Sequence, residues 1–189
     1  MSELTQRKRK IFLTLGIALA FIHLVLVPTG SRGAVLIPTQ LEVSIGAEVA
    51  RQIESKYKLL NNPELTAYVN DVGQKLVKVC GRRDVEYHFK ILDEEMVNAF
   101  ACPGGFIYVT TGILKLMDNE AELAVVLGHE IGHIAARHGA KKLQAQIGYS
   151  LLLSFLFKDQ DVRNIANVAF NLIFLGYGRQ DEFEADNLG

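Results

Sequence analysis

Asp118-Asn119-Glu120-Ala121-Glu122-Leu123-Ala124-Val125-Val126-Leu127-Gly128-His129-Glu130-Ile131-Gly132-His133 is the stretch on which the fold turns. Asp118 or Asn119 caps a helix, and Glu122 follows Asn119 at the spacing of a capping box. The pattern predicts one long helix to about Ile147. Within it, His129 to His133 fits H-E-x-x-H. Two histidines four residues apart leave the same helix face one turn apart, so their imidazoles can share one small cation. Nitrogen donors of this kind suit zinc, at one ion per chain. Glu130 projects beside that face, where its carboxylate can act as general base on a water.

A zinc site that does chemistry needs a third protein ligand and leaves the fourth position open. One class of site draws a third histidine from six residues past the second, after a glycine at the third. Here those positions hold Gly139 and Ala136, so that class is excluded. His138 lies five residues past His133, about 500° further round a continuous helix, and is expected to face away as a surface or packing residue. The other class takes a glutamate from a second helix. The segment 178–189 offers Glu182-Phe183-Glu184-Ala185-Asp186. Glu182 and Glu184 are both candidates by composition, but they lie about 200° apart on a helix, so only one can face the metal. Asp186 lies about 40° from Glu182 and one turn on. Choosing Glu182 as ligand lets Asp186 orient a ligand histidine from behind, and leaves Glu184 as a solvated or salt-bridged acid.

Working outward, residues 34–40 read as a linker. Ser44 to about Leu60 is predicted helical, with Ile45, Val49 and Ile53 on one face. Asn62 and Pro63 mark a second helix start, and Gly81 a stop. Val85 to Ile91 alternates as a half-buried strand, with His88 on its polar side. Pro103-Gly104-Gly105 is a turn, and Phe106 to Thr110 a second strand. The apolar runs 151–157 and 168–175 are each too short to span a bilayer and are expected to pack as a buried helical hairpin.

Charge bears on partners. The chain of 189 residues is 49% hydrophobic and carries a net charge of −1. The first 33 residues hold five of the 20 basic residues but one of the 21 acidic ones. The remainder is therefore acidic and lacks a basic stripe, which argues against nucleic acid as a partner. Arg7 to Lys10 precede an apolar run from Ile11 to Val27. Residues 1–33 thus read as a signal peptide or a membrane anchor, with residues 34–189 exported: periplasmic, or membrane-anchored on the extracytoplasmic side. Cys80 and Cys102 are either one disulfide or two buried thiols.

Four motifs together resemble one family. They are Asn98-Ala99-Phe100-Ala101, Pro103 to Gly112, His129 to His133, and Arg179 with Glu182 to Asp186. In these the chain is similar to the zinc metalloendopeptidases that include HtpX, BepA and the CAAX prenyl proteases, from about Ser44 to Gly189. It departs from the pattern at Cys102, usually apolar, and at Gly178, usually serine. The resemblance implies a gluzincin-like site: His129, His133 and Glu182 on the metal, Glu130 as base, Asp186 behind. It implies an α+β, zincin-like fold, mostly helical with a small sheet over the active-site helix. It also implies a protein or peptide substrate, unfolded or membrane-associated, handled in envelope protein quality control. Phe106 to Thr110 is expected to be the sheet edge lining the cleft, with Asn98, Ala99, Phe106 and Tyr108 as substrate contacts. The family pattern runs on past Asp186, so the domain is expected to be truncated. Two rivals stand beside this reading: a latent or non-catalytic chaperone retaining the zinc site, and a membrane-anchored scaffold with a structural metal. The second would normally need four protein ligands.

Overall fold

Helix α1 (Thr39–Lys56) begins five residues before the expected Ser44. The Pro38 carbonyl accepts the Glu42 N–H at 2.9 Å, closing the first turn inside what reads as a linker. The Glu42 side chain is buried, which hides this turn from an apolar periodicity. The helix ends at Lys56, short of Leu60, because the next residues leave it for the sheet: Leu59 bridges Leu92, and the Leu60 N–H donates to the Ile91 carbonyl. A computed structural model describes residues 34–157 and 162–189, the backbone alone for 149–157. The expected signal or anchor segment lies outside the described residues.

Helix α2 (Pro63–Val77) starts as its sequence dictates, with the Asn62 side chain accepting the Leu65 N–H at 3.1 Å and proline at the first position. Strands β1 (His88–Leu92), β2 (Ala99–Cys102) and β3 (Phe106–Thr110) form one sheet in the order β1-β3-β2. β1 runs parallel to β3, and β2 antiparallel. A 3-10 turn (Pro103–Gly105) joins β2 to β3. It requires glycine: Gly104 and Gly105 both have positive φ, and a Cβ on Gly105 would stand 2.0 Å from the Glu86 carbonyl oxygen. Then follow α3 (Thr111–Leu114), α4 (Glu120–Ala135), α5 (His138–Phe157), α6 (Val162–Ile173) and α7 (Arg179–Leu188). The architecture is α+β, mostly helical with a small sheet.

Alternation along the strands divides the core in two. Phe89, Ile91, Ala101, Ile107 and Val109 face α2 and α4, meeting Val69, Val72, Leu127 and Ile131. Leu92, Phe100, Cys102 and Tyr108 face the other way, toward Ile45, Val49 and Ile53 of α1 and Ile165, Ala166 and Ala169 of α6. Cys80 and Cys102 are separate buried thiols, so the disulfide alternative is not realised. No helix among the described residues is long and apolar enough to cross a membrane.

Two expectations are corrected here. β3 is paired on both sides, so it is the centre of the sheet and cannot be its edge. Tyr108 is fully buried on the face away from α4, its hydroxyl on Glu54 at 2.8 Å, and Phe106 stacks on His88. Neither lines the cleft described below. The long helix to Ile147 is also two helices. α4 stops at Ala135, and Arg137 takes φ 59°, a left-handed conformation that few arginines adopt. Buried charge holds it there. Glu42 accepts both Arg82 Nη1 and Nη2 at 3.0 Å and Arg137 Nε at 2.8 Å, while Arg82 Nη1 also caps the Ile134 carbonyl at 2.9 Å.

Candidate metal centre

The site starts at α4, where the Asn119 side chain accepts the Ala121 and Glu122 N–H groups and Glu122 returns a bond to the Asp118 N–H. Two turns on, the helix carries His129 and His133 toward α7. Their Nε2 atoms stand 3.0 Å apart. Gly132 makes the third donor reachable. A Cβ there would lie 2.5 Å from the Ala185 carbonyl oxygen, so only glycine lets α7 pack this close. Ala185 is fully buried at that crossing. One turn before it, Glu182 Oε2 lies 3.1 Å from His129 Nε2 and 3.7 Å from His133 Nε2.

These three donors are the group of His129, His133 and Glu182 that could hold a metal ion. A tetrahedral zinc with bonds of about 2.0–2.1 Å spaces its ligand atoms by about 3.3 Å. Separations of 3.0, 3.1 and 3.7 Å bracket that value, so the donor set fits the ion in chemistry and in size. Burial lowers the His133 pKa to about 3, helped by His129 and His138 alongside, so its imidazole is neutral as a ligand must be.

Each histidine is held from behind. His129 Nδ1 meets Asp186 Oδ1 at 2.8 Å. His133 Nδ1 meets His138 Nδ1 at 2.8 Å, and the Tyr177 ring lies flat on His133 with centroids 4.2 Å apart. The expectation that His138 faces away fails because the break at Arg137 restarts the helix and turns His138 inward. It is buried, and its Nε2 faces Glu184 at 3.3 Å and Asp181 at 3.6 Å. Glu184 also lies 3.7 Å from Lys141, so it is ion-paired and reaches inward as well.

Glu130 points to the sheet. Its carboxylate is buried and accepts the Ala101 N–H of β2. Burial is the main cause raising its pKa to about 7. In the antiparallel β2–β3 ladder, Phe100 and Cys102 bond to β3, so the backbone groups of Ala99 and Ala101 turn to the outer side. Among the described residues no strand pairs with that side. A cleft of about 520 Å³ opens there, lined by Asn98, Ala99, Val125, His129, Glu130 and Asp186 among others. Asn98 and Ala99 thus keep a place beside the site, on the true edge.

Strand β2, Tyr177 and the inward turn of His138 are absent from the sequence reading. β2 is four residues long and buried on both faces, so it shows no polar alternation to detect. A tyrosine just before the helix of the third ligand was the available signal for Tyr177. No signal marks the break, since Arg137 is not a glycine.

A histidine pair on one helix, a glutamate from a second, and a small sheet beside them define the zincin-like class. Residues 63–189 match peptidase family M48, and the chain belongs to that family. It is 36% identical over 116 residues to the beta-barrel assembly-enhancing protease of Yersinia pestis, covering 61% of this chain and 24% of that protein. The Escherichia coli K12 protein of the same name is 34% identical over 105 residues, covering 56% and 22%. The mitochondrial metalloendopeptidase OMA1 of Schizosaccharomyces pombe is 29% identical over 175 residues, covering 89% and 52%. The chain therefore spans between about a fifth and a half of the length of these relatives.

Proposed function

We propose that this chain is a zinc-dependent metalloendopeptidase, with His129, His133 and Glu182 as ligands and Glu130 as general base. The observation that carries the reading is the spacing of the three donor atoms beside a buried carboxylate, in a chain of family M48. Zinc, when bound, supplies Lewis-acid chemistry to water and to the scissile carbonyl. The residues do the rest. Glu130 takes a proton from the attacking water and gives it to the leaving amine. A carboxyl whose pKa stands near 7 is matched to both halves of that exchange. Asp186 keeps His129 in the tautomer that leaves Nε2 free for the metal.

The substrate is a protein or peptide lying extended along β2, adding a strand through the outward backbone groups of Ala99. Val97 and Val125, both more than half exposed, give the cleft an apolar rim suited to chains that have lost their fold. The sheet acts as a roof over the helix that bears the histidines. The names of the relatives, a beta-barrel assembly-enhancing protease and a mitochondrial metalloendopeptidase, support a role in protein quality control. The basic, apolar start of the chain supports export.

The test is cleavage of an unfolded protein by the zinc-loaded chain, compared with Glu130→Gln. Cleavage by the parent and none by the variant is expected. Equal activity of the two would overturn the assignment of the base. Zinc bound at one per chain with no cleavage of any unfolded protein would favour a chaperone that has kept the site.

A further inference from the structure

His133 and His138 face each other through like atoms, Nδ1 to Nδ1, at 2.8 Å in a buried setting. Only one of the two nitrogens can carry the hydrogen between them. The far end of His138 decides which. Its Nε2 faces two carboxylates, Glu184 at 3.3 Å and Asp181 at 3.6 Å. Carboxylates accept, so Nε2 must donate. Where that is the ring's one hydrogen, His138 presents a bare Nδ1, and His133 donates to it from its own Nδ1. That leaves the His133 Nε2 lone pair on the side of His129 and Glu182. The opposite tautomer would put a hydrogen where a metal has to bind.

We infer that His138 is a positioning residue for the metal centre, part of a relay His133–His138–Glu184/Asp181 that fixes the metal-binding tautomer of His133. The inference rests on the proposed ligand set and adds to it. His129 has its carboxylate directly, in Asp186; His133 has one only through His138. Three features hold the relay in place. Arg137 turns the chain so that His138 enters, Glu42 holds Arg137, and Tyr177 stacks on His133 and lies 5.7 Å from His138 between ring centroids. Lys141 steadies Glu184 from outside.

The test measures zinc affinity of the full chain by competition with a chelator, for the parent, His138→Phe and His138→Asn. Phenylalanine keeps the bulk and removes the acceptor. The asparagine amide oxygen stands close to the imidazole Nδ1 and can accept the same hydrogen. His138→Phe is expected to lose about 10–100-fold in zinc affinity, and His138→Asn to recover most of it. A purely packing role predicts the reverse order, and that order would overturn the inference, as would parent-like affinity in His138→Phe. Long-range proton–nitrogen NMR on the metal-free parent needs no variant. It should show His133 protonated at Nδ1 and His138 at Nε2; the opposite pair of tautomers refutes the relay even where the phenylalanine variant fails to fold. A parent that binds no zinc sinks the metalloprotease reading itself, whereas the other failures sink the relay alone.

Discussion

Glu130 carries two conflicting demands in one carboxylate. Its burial favours the protonated form, while the chemistry proposed for it needs the ionised one. In the metal-free chain the folded state holds this proton up to about pH 7, against an ordinary value of 4.5. The folded state is therefore favoured at acid pH, and its stability falls as pH rises from about 4.5 through about 7. Glu130→Gln has no proton to lose there. Metal-free Glu130→Gln should be more stable than the metal-free parent at pH 8 by about 1–3 kcal/mol, and no more stable near pH 4.5. Thermal unfolding at the two pH values checks it; a gap independent of pH would show that the carboxylate is not the cause. The proposed ligands separate by a different measurement. Glu182→Gln removes a donor, and Asp186→Asn only the partner of His129 Nδ1. Zinc affinity should fall by about 10–100-fold for Asp186→Asn and by more for Glu182→Gln. The cluster of His129, His133 and Glu182 was legible in the sequence because helical phase sends Glu182 and Glu184 different ways and Asp186, one turn on, sides with Glu182. What phase could not give was the inward reach of Glu184, which depends on where His138 goes.

Between elements, the crossing of α4 and α7 depends on one missing methyl group. Helix propensity says that Gly132→Ala should stabilise α4 by about 1 kcal/mol. Packing says the reverse, since the new Cβ would press on the Ala185 backbone at 2.5 Å, and a backbone cannot rotate away. The clash should win: Gly132→Ala is expected to lower both the melting temperature and zinc affinity, through the displacement of Glu182. A second contact between elements is the Glu42 cluster. Glu42→Ala would strand the buried Arg82 and half-buried Arg137, and should cost about 3–5 kcal/mol in denaturant unfolding. Elements with strong local signals were readable: the Asn62-Pro63 start, the Asn119 cap, the Pro-Gly-Gly turn. The break at Arg137 and the start of α1 at Thr39 were not. Both are set by one ion cluster joining residues 42, 82 and 137, and pairings so far apart leave no local trace in the chain.

Across the whole molecule, the proposed ligands come from two helices about fifty positions apart, so zinc would tie α7 to the centre of the fold. Chelation should loosen α7 before it unfolds the rest. Hydrogen exchange is expected to quicken in residues 179–188 on metal removal, while β1 and β3 stay protected. Uniform quickening would mean that the metal holds the entire domain together. The two-faced core explains which part of the sheet was legible. β1 alternates and β3 is an apolar run behind a Pro-Gly-Gly turn, so both were readable, but which strand is central depends on pairings that periodicity does not encode, and so the edge was assigned to the wrong strand. The true edge, β2, has a cost as well as a use. Backbone donors and acceptors left open on a strand will pair with any extended chain, including another copy of this one. Glu130 occupies the Ala101 N–H, so the same carboxylate proposed to activate water also shields half of this edge from self-association.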